Sequence, residues 1–343
     1  MRIAVDAMGG DHAPARPVEG ALAAARNLGL GIDLVGRSDL IDAELKKHPD
    51  VSGLDVRIVD APEVIEMTES PAQALRRKPK ASIKVAAEHV AAGEANALFS
   101  AGHTGASVVA AHAAFGMLPG VDRPALAPTV PTRQGAAVLL DAGATVSCKP
   151  AHLLQFGHMG AVYARVGLGI GEPRIGLLSI GEEETKGNEL TRDAHQLLKA
   201  SALAFVGNVE ARGIFSGDAD VVVCDGFTGN VALKLSEGLV EMVEELLGEE
   251  LQSTFSSQVG YLLSRRAFRR FRRRVDYSEF GGAPLLGVAG LCIVGHGRSS
   301  VKAVRNAVAM ASRMAANQMM ERLRTEMGHR DHRDTETDVG LSS

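Results

Sequence analysis

Short apolar runs rich in β-branched residues alternate along this chain with longer segments of helical spacing. The runs predict buried strands at 3–5, 32–35, 56–59, 97–99, 137–140, 175–180 and 221–224. The segments between them predict helices at 18–28, 82–92, 107–117, 152–166, 190–200 and 231–247. This alternation predicts an α/β fold with a mostly parallel sheet covered by helices on both faces. Such sheets bind ligands at the carboxyl ends of their strands.

Length and composition favour a globular enzyme. With 343 residues and 45% hydrophobic content, the chain can bury a large core. We therefore expect a single α/β catalytic domain over 1–327, with two lobes around a cleft. A net charge of −4 and a pI near 6.3 argue against nucleic acid as a partner.

The cysteines and the apolar segments indicate the compartment. Cys148, Cys224 and Cys292 are far apart, which favours neither a disulfide framework nor a zinc site, so we expect the reducing cytosol. No segment is apolar enough for a signal peptide or a membrane span.

Four glycine-rich junctions follow predicted strands. They are 6–11 (DAMGGD), 100–105 (SAGHTG), 181–188 (GEEETKGN) and 225–230 (DGFTGN). Glycine allows a close approach of the backbone to a ligand, and the free amide groups of the next helix favour an anion. Together the junctions predict an anion site on one sheet edge, although any single tight turn also needs Gly and Asn for backbone reasons.

An arginine-rich segment stands out in a chain of negative net charge. Residues 265–274 read RRAFRRFRRR, and an amphipathic stretch precedes them, so this region predicts an amphipathic, basic helix. Apolar residues under arginines are typical of a helix on an anionic bilayer. An acidic protein would bind this segment equally well. The third alternative is a solvated helix face that packs against its own domain.

The C-terminal part is less informative. Residues 281–297 have the glycine density of turns that flank a strand, and 299–327 predict one long helix. The polar segment 328–343 lacks periodicity, so we predict a disordered tail.

Two residues in the glycine-rich junctions could act on an anionic substrate. Lys186 lies just before Asn188, a candidate N-cap, so its ammonium would lie beside a positive helix end. The amide of Asn230 could donate to an oxyanion. An ordinary surface lysine and a plain N-cap are the structural alternatives.

Other candidates are weaker. His12, His103 and His296 lie in or beside glycine-bearing loops, where a stabilising hydrogen bond is the favoured role for the first two. Glu182, Glu183 and Glu184 suit an ion-paired loop better than a metal site. Cys224 is next to Asp225, which would raise the thiol pKa and disfavour a covalent acyl-cysteine. P-loop, dinucleotide-binding, nucleophile-elbow and HExxH zinc motifs are not found.

Taken together, several segments resemble the bacterial acyl-carrier-protein:phosphate acyltransferase family of phospholipid synthesis. They are IAVDAMGGDHAP (3–14), SAGHTGA (100–106), RPALAPTVPT (123–132), GLLSIGEEETKGNEL (176–190), VGNVEARGIFSGDADVVVCDGFTGNVALK (206–234) and GGAPLLGV (281–288). Their number, order and spacing make the resemblance specific from residue 3 to about 310.

The resemblance implies a fold similar to phosphotransacetylases and to isocitrate and isopropylmalate dehydrogenases, in a homodimer. It implies that acyl carrier protein thioester and phosphate give acyl phosphate and free carrier. No metal or organic cofactor is needed. The implied partners are the acyl carrier protein, the inner membrane surface and a membrane glycerol-3-phosphate acyltransferase that uses the product. The enzyme would be cytoplasmic and peripherally associated with the membrane.

The resemblance also implies roles for single residues. Lys186 and Asn230 match the proposed catalytic pair. Substrate or phosphate contacts are expected from Asp6, Gly9, Gly10, Gly102, His103, Thr104, Gly105, Asn188, Asp225, Gly226, Thr228 and Gly229. The stretch 240–280 matches the family's membrane-touching hairpin, so the resemblance implies an amphipathic, basic helical hairpin there. Membrane or carrier contacts are expected from Arg265, Arg266, Phe268, Arg269, Arg270 and Phe271.

Two positions depart from the family pattern. His103 and Ser179 each stand where the family usually has asparagine. A short-chain, coenzyme A-dependent phosphate acetyltransferase and a non-catalytic scaffold at the membrane are the alternative functions.

Overall fold

The computed structural model describes residues 1–338, apart from the side chains of residue 277 and residues 329–338. Its strands, in chain order, are β1 Arg2–Asp6, β2 Gly31–Gly36, β3 Val56–Asp60, β4 Ala97–Ser100, β5 Ala125–Leu126, β6 Thr129–Thr132, β7 Gly135–Leu140, β8 Ile175–Leu178, β9 Phe205–Val209, β10 Val221–Val223, β11 Ala283–Leu286 and β12 Cys292–Val294. Its α-helices are α1 Ala15–Leu28, α2 Ser38–Leu45, α3 Pro71–Arg77, α4 Ser82–Ala91, α5 Thr104–Phe115, α6 Pro150–Leu168, α7 Glu189–Ala200, α8 Gly226–Ser253, α9 Phe255–Val275, α10 Val301–Ala316 and α11 Met319–Asp338.

The first sheet has seven strands in the order β3-β2-β1-β4-β12-β11-β5. The strands from β3 to β12 pair in parallel, and β11 pairs antiparallel with both of its neighbours. Side chains of β1 alternate between two clusters: Ile3 and Val5 pack with residues of α1 and α10, and Ala4 packs with residues of α4 and α5. This sheet therefore has helices on both faces, as predicted.

A second sheet has five strands in the order β6-β7-β10-β8-β9. The prediction of one sheet is therefore wrong in this respect. The reason is physical, because a buried apolar run has the same pattern whichever sheet its strand joins. One hydrophobic cluster includes Ile3 of the first sheet and Val221 of the second, with Phe156 of α6, so the two sheets share a core.

The C-terminal region also differs from expectation. Two antiparallel strands, β11 and β12, replace the single strand expected within 281–297. The predicted long helix is interrupted after Asn317, where Gln318 takes a left-handed φ of 54°. Helix α11 then continues to Asp338, into the segment for which we predict disorder. Met319, Leu323 and Met327 are buried on this helix, which anchors its first part. The rest of the predicted tail, 339–343, lies outside the described residues.

Helices α8 and α9 form a pair joined at Thr254, whose side chain caps α9. Arg272 of α9 pairs with Glu244 of α8 at 3.0 Å, so the two helices lie side by side. Within 1–338, no helix is long and apolar enough to cross a membrane.

Candidate active site

A cavity of about 540 Å³ lies between the two sheets. Gly102, Thr104 and Gly105 line it from the first sheet and the start of α5, and Gly143 and Asn230 line it from the second. The prediction that the four glycine-rich junctions share one sheet edge is therefore wrong, because two follow β1 and β4 of the first sheet and two follow β8 and β10 of the second. The cleft brings together two junctions of the first sheet, through Asp11 and Gly102, and one of the second, through Asn230.

The junctions after β1 and β4 are held together by a buried carboxyl. Asp6 accepts hydrogen bonds from Ser100 Oγ at 2.7 Å and from the Met8 amide at 3.2 Å. Burial raises the pKa of Asp6, and these hydrogen bonds act against that rise. A Cβ added to Gly9 would lie 2.8 Å from the Gly102 nitrogen, so the close approach of the two loops requires glycine.

A second cavity of about 250 Å³ adjoins this pair of loops. Asp6, Gly9, Gly10, Gly102 and His103 are part of its lining. The predicted substrate residues of the first sheet thus lie on two adjoining cavities, with Gly102 common to both.

His103 is the N-cap of α5. Its Nδ1 accepts a hydrogen bond from the Gly105 amide at 3.1 Å, as an asparagine oxygen would at an N-cap. Because Nδ1 is the acceptor, the neutral ring carries its hydrogen on Nε2. The loop-stabilising role favoured for this histidine is therefore confirmed, whereas His12 is exposed and does not line either cavity.

On the second sheet, segment 225–230 is not a loop but the N-cap and first turns of α8. Asp225 caps the helix by accepting from the Thr228 amide at 2.9 Å and from Thr228 Oγ1 at 2.7 Å. The N-cap alternative for Asn230 is therefore wrong. Asn230 lies one turn into the helix, where its side chain is exposed beside Gly143 and lines the cleft.

Asp141, at the end of β7, is a residue that sequence reasoning missed. Its carboxyl accepts from the backbone amides of Leu126, Gly143, Ala144 and Thr145 at 2.6 to 3.0 Å. Burial raises its pKa, and the backbone donors act against that rise. This buried carboxyl shapes the loop that faces Asn230, and no pattern around it in the sequence signals that role.

The backbone of α8 packs directly on Asp141. A Cβ at Gly229 would clash with the Asp141 carbonyl oxygen, and one at Gly226 would lie 2.5 Å from Asp141 Oδ2. These two predicted substrate residues are buried, so their function is the close approach of α8 to the β7 loop.

Lys186 lies in the junction after β8 and is exposed. It does not line the cleft cavity, so the structure does not bring it to the same wall as Asn230. Among the described residues its ammonium has no ion pair. Asn188 caps α7 as predicted, accepting from the Thr191 amide at 2.9 Å.

The three glutamates of this junction suit the ion-paired alternative. Glu184 pairs with Lys199 at 2.9 Å, and Glu182 pairs with Arg212 at 3.7 Å. Within the described part of the chain, no group of three or more His, Cys, Asp or Glu side chains is placed to hold a metal. Burial raises the pKa of Cys224 well above its usual range, and Asp141 and Asp225 raise it further, which disfavours a thiolate nucleophile.

A polar cluster not recognised in the sequence closes one side of the cleft. Lys234 of α8 pairs with Glu237 at 2.8 Å, and His296 lies 3.7 Å from the same carboxyl. Burial lowers the pKa of His296, and Lys234 lowers it further, while Glu237 acts in the opposite direction. Arg298 pairs with Glu241 at 3.0 Å, so α8 is tied to the loop after β12.

The α8–α9 pair exposes many apolar side chains. On α9, Phe255 and Leu263 are each 82% exposed and Leu262 is 67% exposed. Phe268 and Phe271 line an apolar groove with Leu247 of α8, and Phe271 is also 43% exposed. Of the residues predicted to contact membrane or carrier, the four arginines Arg265, Arg266, Arg269 and Arg270 are exposed, and the two phenylalanines border the groove.

Solved structures of other proteins have a similar fold. The structure resembles a phosphotransacetylase from Streptococcus pyogenes (TM-score 0.62, 17% identity, 92% of this chain and 94% of that chain). It also resembles 4-hydroxythreonine-4-phosphate dehydrogenase from Klebsiella pneumoniae (TM-score 0.53, 13% identity, 92% and 99%). The chain thus shares its fold with phosphotransacetylases and with a dehydrogenase, while the narrower comparison with isocitrate and isopropylmalate dehydrogenases stays a prediction.

Similarity in sequence is much higher to curated relatives. The phosphate acyltransferase of Geobacter sulfurreducens is 51% identical over 327 residues, covering 95% of this chain and 94% of the relative. That of Syntrophotalea carbinolica is 50% identical over 326 residues, with coverage of 95% and 94%. Residues 1–322 match the family model described as fatty acid synthesis protein. The chain therefore belongs to the fatty acid synthesis protein family, in which its curated relatives are phosphate acyltransferases.

Proposed function

We propose that this chain transfers a fatty acyl group from an acyl carrier protein thioester to inorganic phosphate, giving acyl phosphate and free carrier. The observation that carries the proposal is the cleft between the sheets. The first residues of α5, Thr104 and Gly105, line it opposite Asn230. The Gly105 amide donates to His103 within the chain, so the positive end of the α5 dipole is the feature that favours a bound phosphate here.

The chemistry needs few groups. A phosphate oxygen attacks the thioester carbonyl carbon, the new C–O bond forms, and the C–S bond breaks to release a thiolate that takes up a proton. Phosphate is already anionic and a thiolate leaves readily, so positioning and oxyanion stabilisation suffice. Asn230 Nδ2 would donate to the carbonyl oxygen, and Lys186 would hold phosphate charge.

That role for Lys186 requires the junction 181–188 to fold over the cleft. The Lys186 side chain is exposed and has no ion pair among the described residues, so its charge is available to an anion. We expect Lys186 to reach the bound phosphate only in the closed form of the loop.

The cavity lining favours a long acyl chain. The lining includes apolar side chains from the two sheet regions, from α8 and α9, and from connecting segments: Leu126, Pro128, Val130, Phe215, Leu233, Val240, Val275 and Phe280. An acetyl group would leave most of this apolar surface without a partner, so the short-chain coenzyme A-dependent alternative is disfavoured. The scaffold alternative gives no function to a cleft lined in this way.

The α8–α9 pair supports the cellular setting that we propose. We infer a protruding amphipathic hairpin whose exposed Phe255, Leu262 and Leu263 contact the inner face of the cell membrane. The enzyme would be cytoplasmic and peripheral, and a membrane glycerol-3-phosphate acyltransferase would consume its product.

A second copy of the chain would cover another part of α8. Val231, Leu235 and Leu239 are 51%, 72% and 55% exposed and recur every four residues, so they form one apolar stripe. Such a stripe suits a homodimer interface. We also propose that residues 1–327 form a single α/β catalytic domain with two lobes, because the two sheets share one hydrophobic core.

The test is release of free carrier thiol from purified long-chain acyl carrier protein, with and without phosphate. We expect phosphate-dependent release by the wild type and a loss of about 100-fold or more in Lys186→Ala. Lys46→Ala, at an exposed lysine directly after α2 and outside both cavities, is the matched control and should keep nearly full activity. Release without phosphate, or with acetyl-coenzyme A alone, contradicts the proposal.

A further inference from the structure

The outward face of α9 changes character along its length. At 3.6 residues per turn, Phe255, Val259 and Leu262 lie on the face opposite the groove that Phe268 and Phe271 line. The same outward face continues, toward the end of the helix, as arginine: Arg265, Arg266, Arg269, Arg270 and Arg273. The helix therefore begins with an apolar part, which we call the apolar tip, and ends with a cationic part. We call the five arginines of that cationic part the arginine platform.

The arginine platform is not neutralised by the rest of the chain. All seven arginines of 265–274 are exposed, and among the described residues only Arg272 has an acidic partner, Glu244. The chain carries 41 acidic residues against 37 basic ones, so acids to pair with these arginines are plentiful. Because the five arginines of the platform have no acidic partner among the described residues, the platform points to an anionic partner outside the chain.

The position of the platform distinguishes between lipid and protein. Val275, directly after the arginines, lines the cleft cavity. At about 1.5 Å per residue, Arg273 and Arg269 lie about 3 and 9 Å along the axis from Val275, whereas Leu262 and Phe255 lie about 20 and 30 Å away. The apolar tip is remote from the cleft, while the platform borders its entrance.

The base of the helix is also fixed to the domain. Arg274 donates to the Arg133 carbonyl oxygen at 3.1 Å, and Lys302 of α10 pairs with Asp276 at 2.9 Å and with Glu279 at 2.6 Å. A rigid surface beside an entrance suits a folded macromolecule that must deliver a group to one place.

We propose that the arginine platform is the docking surface for the acidic carrier protein, and that it does not serve as the lipid contact. This inference rests on the proposed function, because the carrier is the acyl donor of that reaction. Opposite charge would steer the carrier to this strongly cationic segment of a chain with negative net charge, with its thioester next to the cleft.

The test compares carrier binding with vesicle binding. In Arg269→Glu/Arg273→Glu we expect the dissociation constant for fluorescently labelled acyl carrier protein to rise at least ten-fold. The KM for acyl carrier protein should rise in parallel, and its dependence on ionic strength should weaken. The kcat at saturating carrier, and the binding to phosphatidylethanolamine–phosphatidylglycerol vesicles, should stay within two-fold.

Three controls separate the possible causes. Arg269→Lys/Arg273→Lys keeps the charge and should keep most carrier binding, which excludes simple misfolding. Arg322→Glu/Arg324→Glu makes the same charge change on α11 and should leave carrier binding unchanged. Leu262→Glu/Leu263→Glu at the apolar tip should abolish vesicle binding but leave carrier binding intact.

Two results for Arg269→Glu/Arg273→Glu overturn the inference: an unchanged dissociation constant for the carrier, or loss of vesicle binding with carrier binding retained. The proposed function fails separately, if the wild type binds carrier through the platform but releases no thiol when phosphate is added.

Discussion

The cleft walls and the α8–α9 pair satisfy their polar and charged groups in opposite ways. Around the cleft, Asp6 and Asp141 are buried and each accepts several hydrogen bonds from neighbouring loops. On the pair, most arginines of 265–274 are exposed and have no acidic partner among the described residues. The first region is complete within the chain, whereas the second presents charge and apolar surface to something outside it.

This difference predicts where a single substitution affects folding and where it affects only binding. Internal hydrogen bonds to a buried group are costly to lose, because each unpaired buried donor is penalised. Exposed charges contribute little to stability, since water already solvates them. The predictions below follow this contrast from the largest expected effect to the smallest.

The largest effect is expected at Asp141. In Asp141→Ala, four backbone amides lose their acceptor, so we expect the free energy of unfolding to fall by about 3 kcal/mol or more. Urea unfolding followed by circular dichroism measures this. Asp193→Ala, an exposed aspartate on α7, is the control and should change stability by less than about 0.5 kcal/mol. Equal stability of the two variants would show that the β7 loop does not depend on this carboxyl.

An intermediate effect is expected at His103. In His103→Ala, α5 loses its N-cap, which should lower the free energy of unfolding by about 1 kcal/mol. His103→Asn restores a side-chain acceptor and should be within about 0.5 kcal/mol of the wild type. Thermal unfolding of the three proteins tests this order. If the asparagine variant is as unstable as the alanine variant, the ring does more than cap the helix.

The smallest effect is expected at Asp276, at the base of α9. Burial raises the pKa of its carboxyl, but hydrogen bonds from Ser278 and Lys302 outweigh burial, so the pKa lies below its usual value. Its contribution is thus present above the unfolded-state pKa of about 3.9 and is lost as pH falls toward the folded-state pKa. Asp276→Asn should therefore cost less than about 1 kcal/mol near neutral pH, and less still in acid.

Asp6 should show the opposite pH dependence. Its pKa is raised in the folded protein, so its contribution is present below about pH 3.9 and is lost as pH rises through the folded-state pKa. The stability difference between wild type and Asp6→Asn should shrink with rising pH, while that for Asp276→Asn grows. Urea unfolding at several pH values checks both signs, and the same sign for both variants would contradict the contrast between cleft and pair.

Much of the fold could be predicted from the sequence, because the periodicity of the apolar residues indicates which residues are buried. Each strand predicted within 1–140 and 175–224 is found, and helices such as α6 and α7 begin within two residues of the predicted positions. Short elements escaped prediction: β5 has two residues, and α3 has seven, too few for a period to be recognised. The division into two sheets depends on which strands pair, and that information is not contained in the pattern of any one strand.

The candidate site, too, was predicted only in part. Glycines 9, 102 and 229 were recognised because tight approach leaves glycine as a signal, and the structure shows the close contacts that require them. Asp141 was missed because a lone aspartate after a strand carries no signal until the amides around it are known. The position of Phe268 and Phe271 beside Leu247 could not be predicted, because a helix pattern alone does not reveal which face meets α8.

Helix α8 is one continuous rod of 28 residues that carries Asn230 near one end and Glu244, the partner of Arg272, more than halfway along. Its two ends are therefore locked in rotational phase. Inserting one residue between them would turn Asn230 by about 100° about the helix axis relative to Glu244, whereas inserting seven would nearly preserve their relative orientation. A change of length at the turn around Thr254 leaves that orientation unaltered, so the α8–α9 pair can become longer or shorter without a change in the geometry of the cleft.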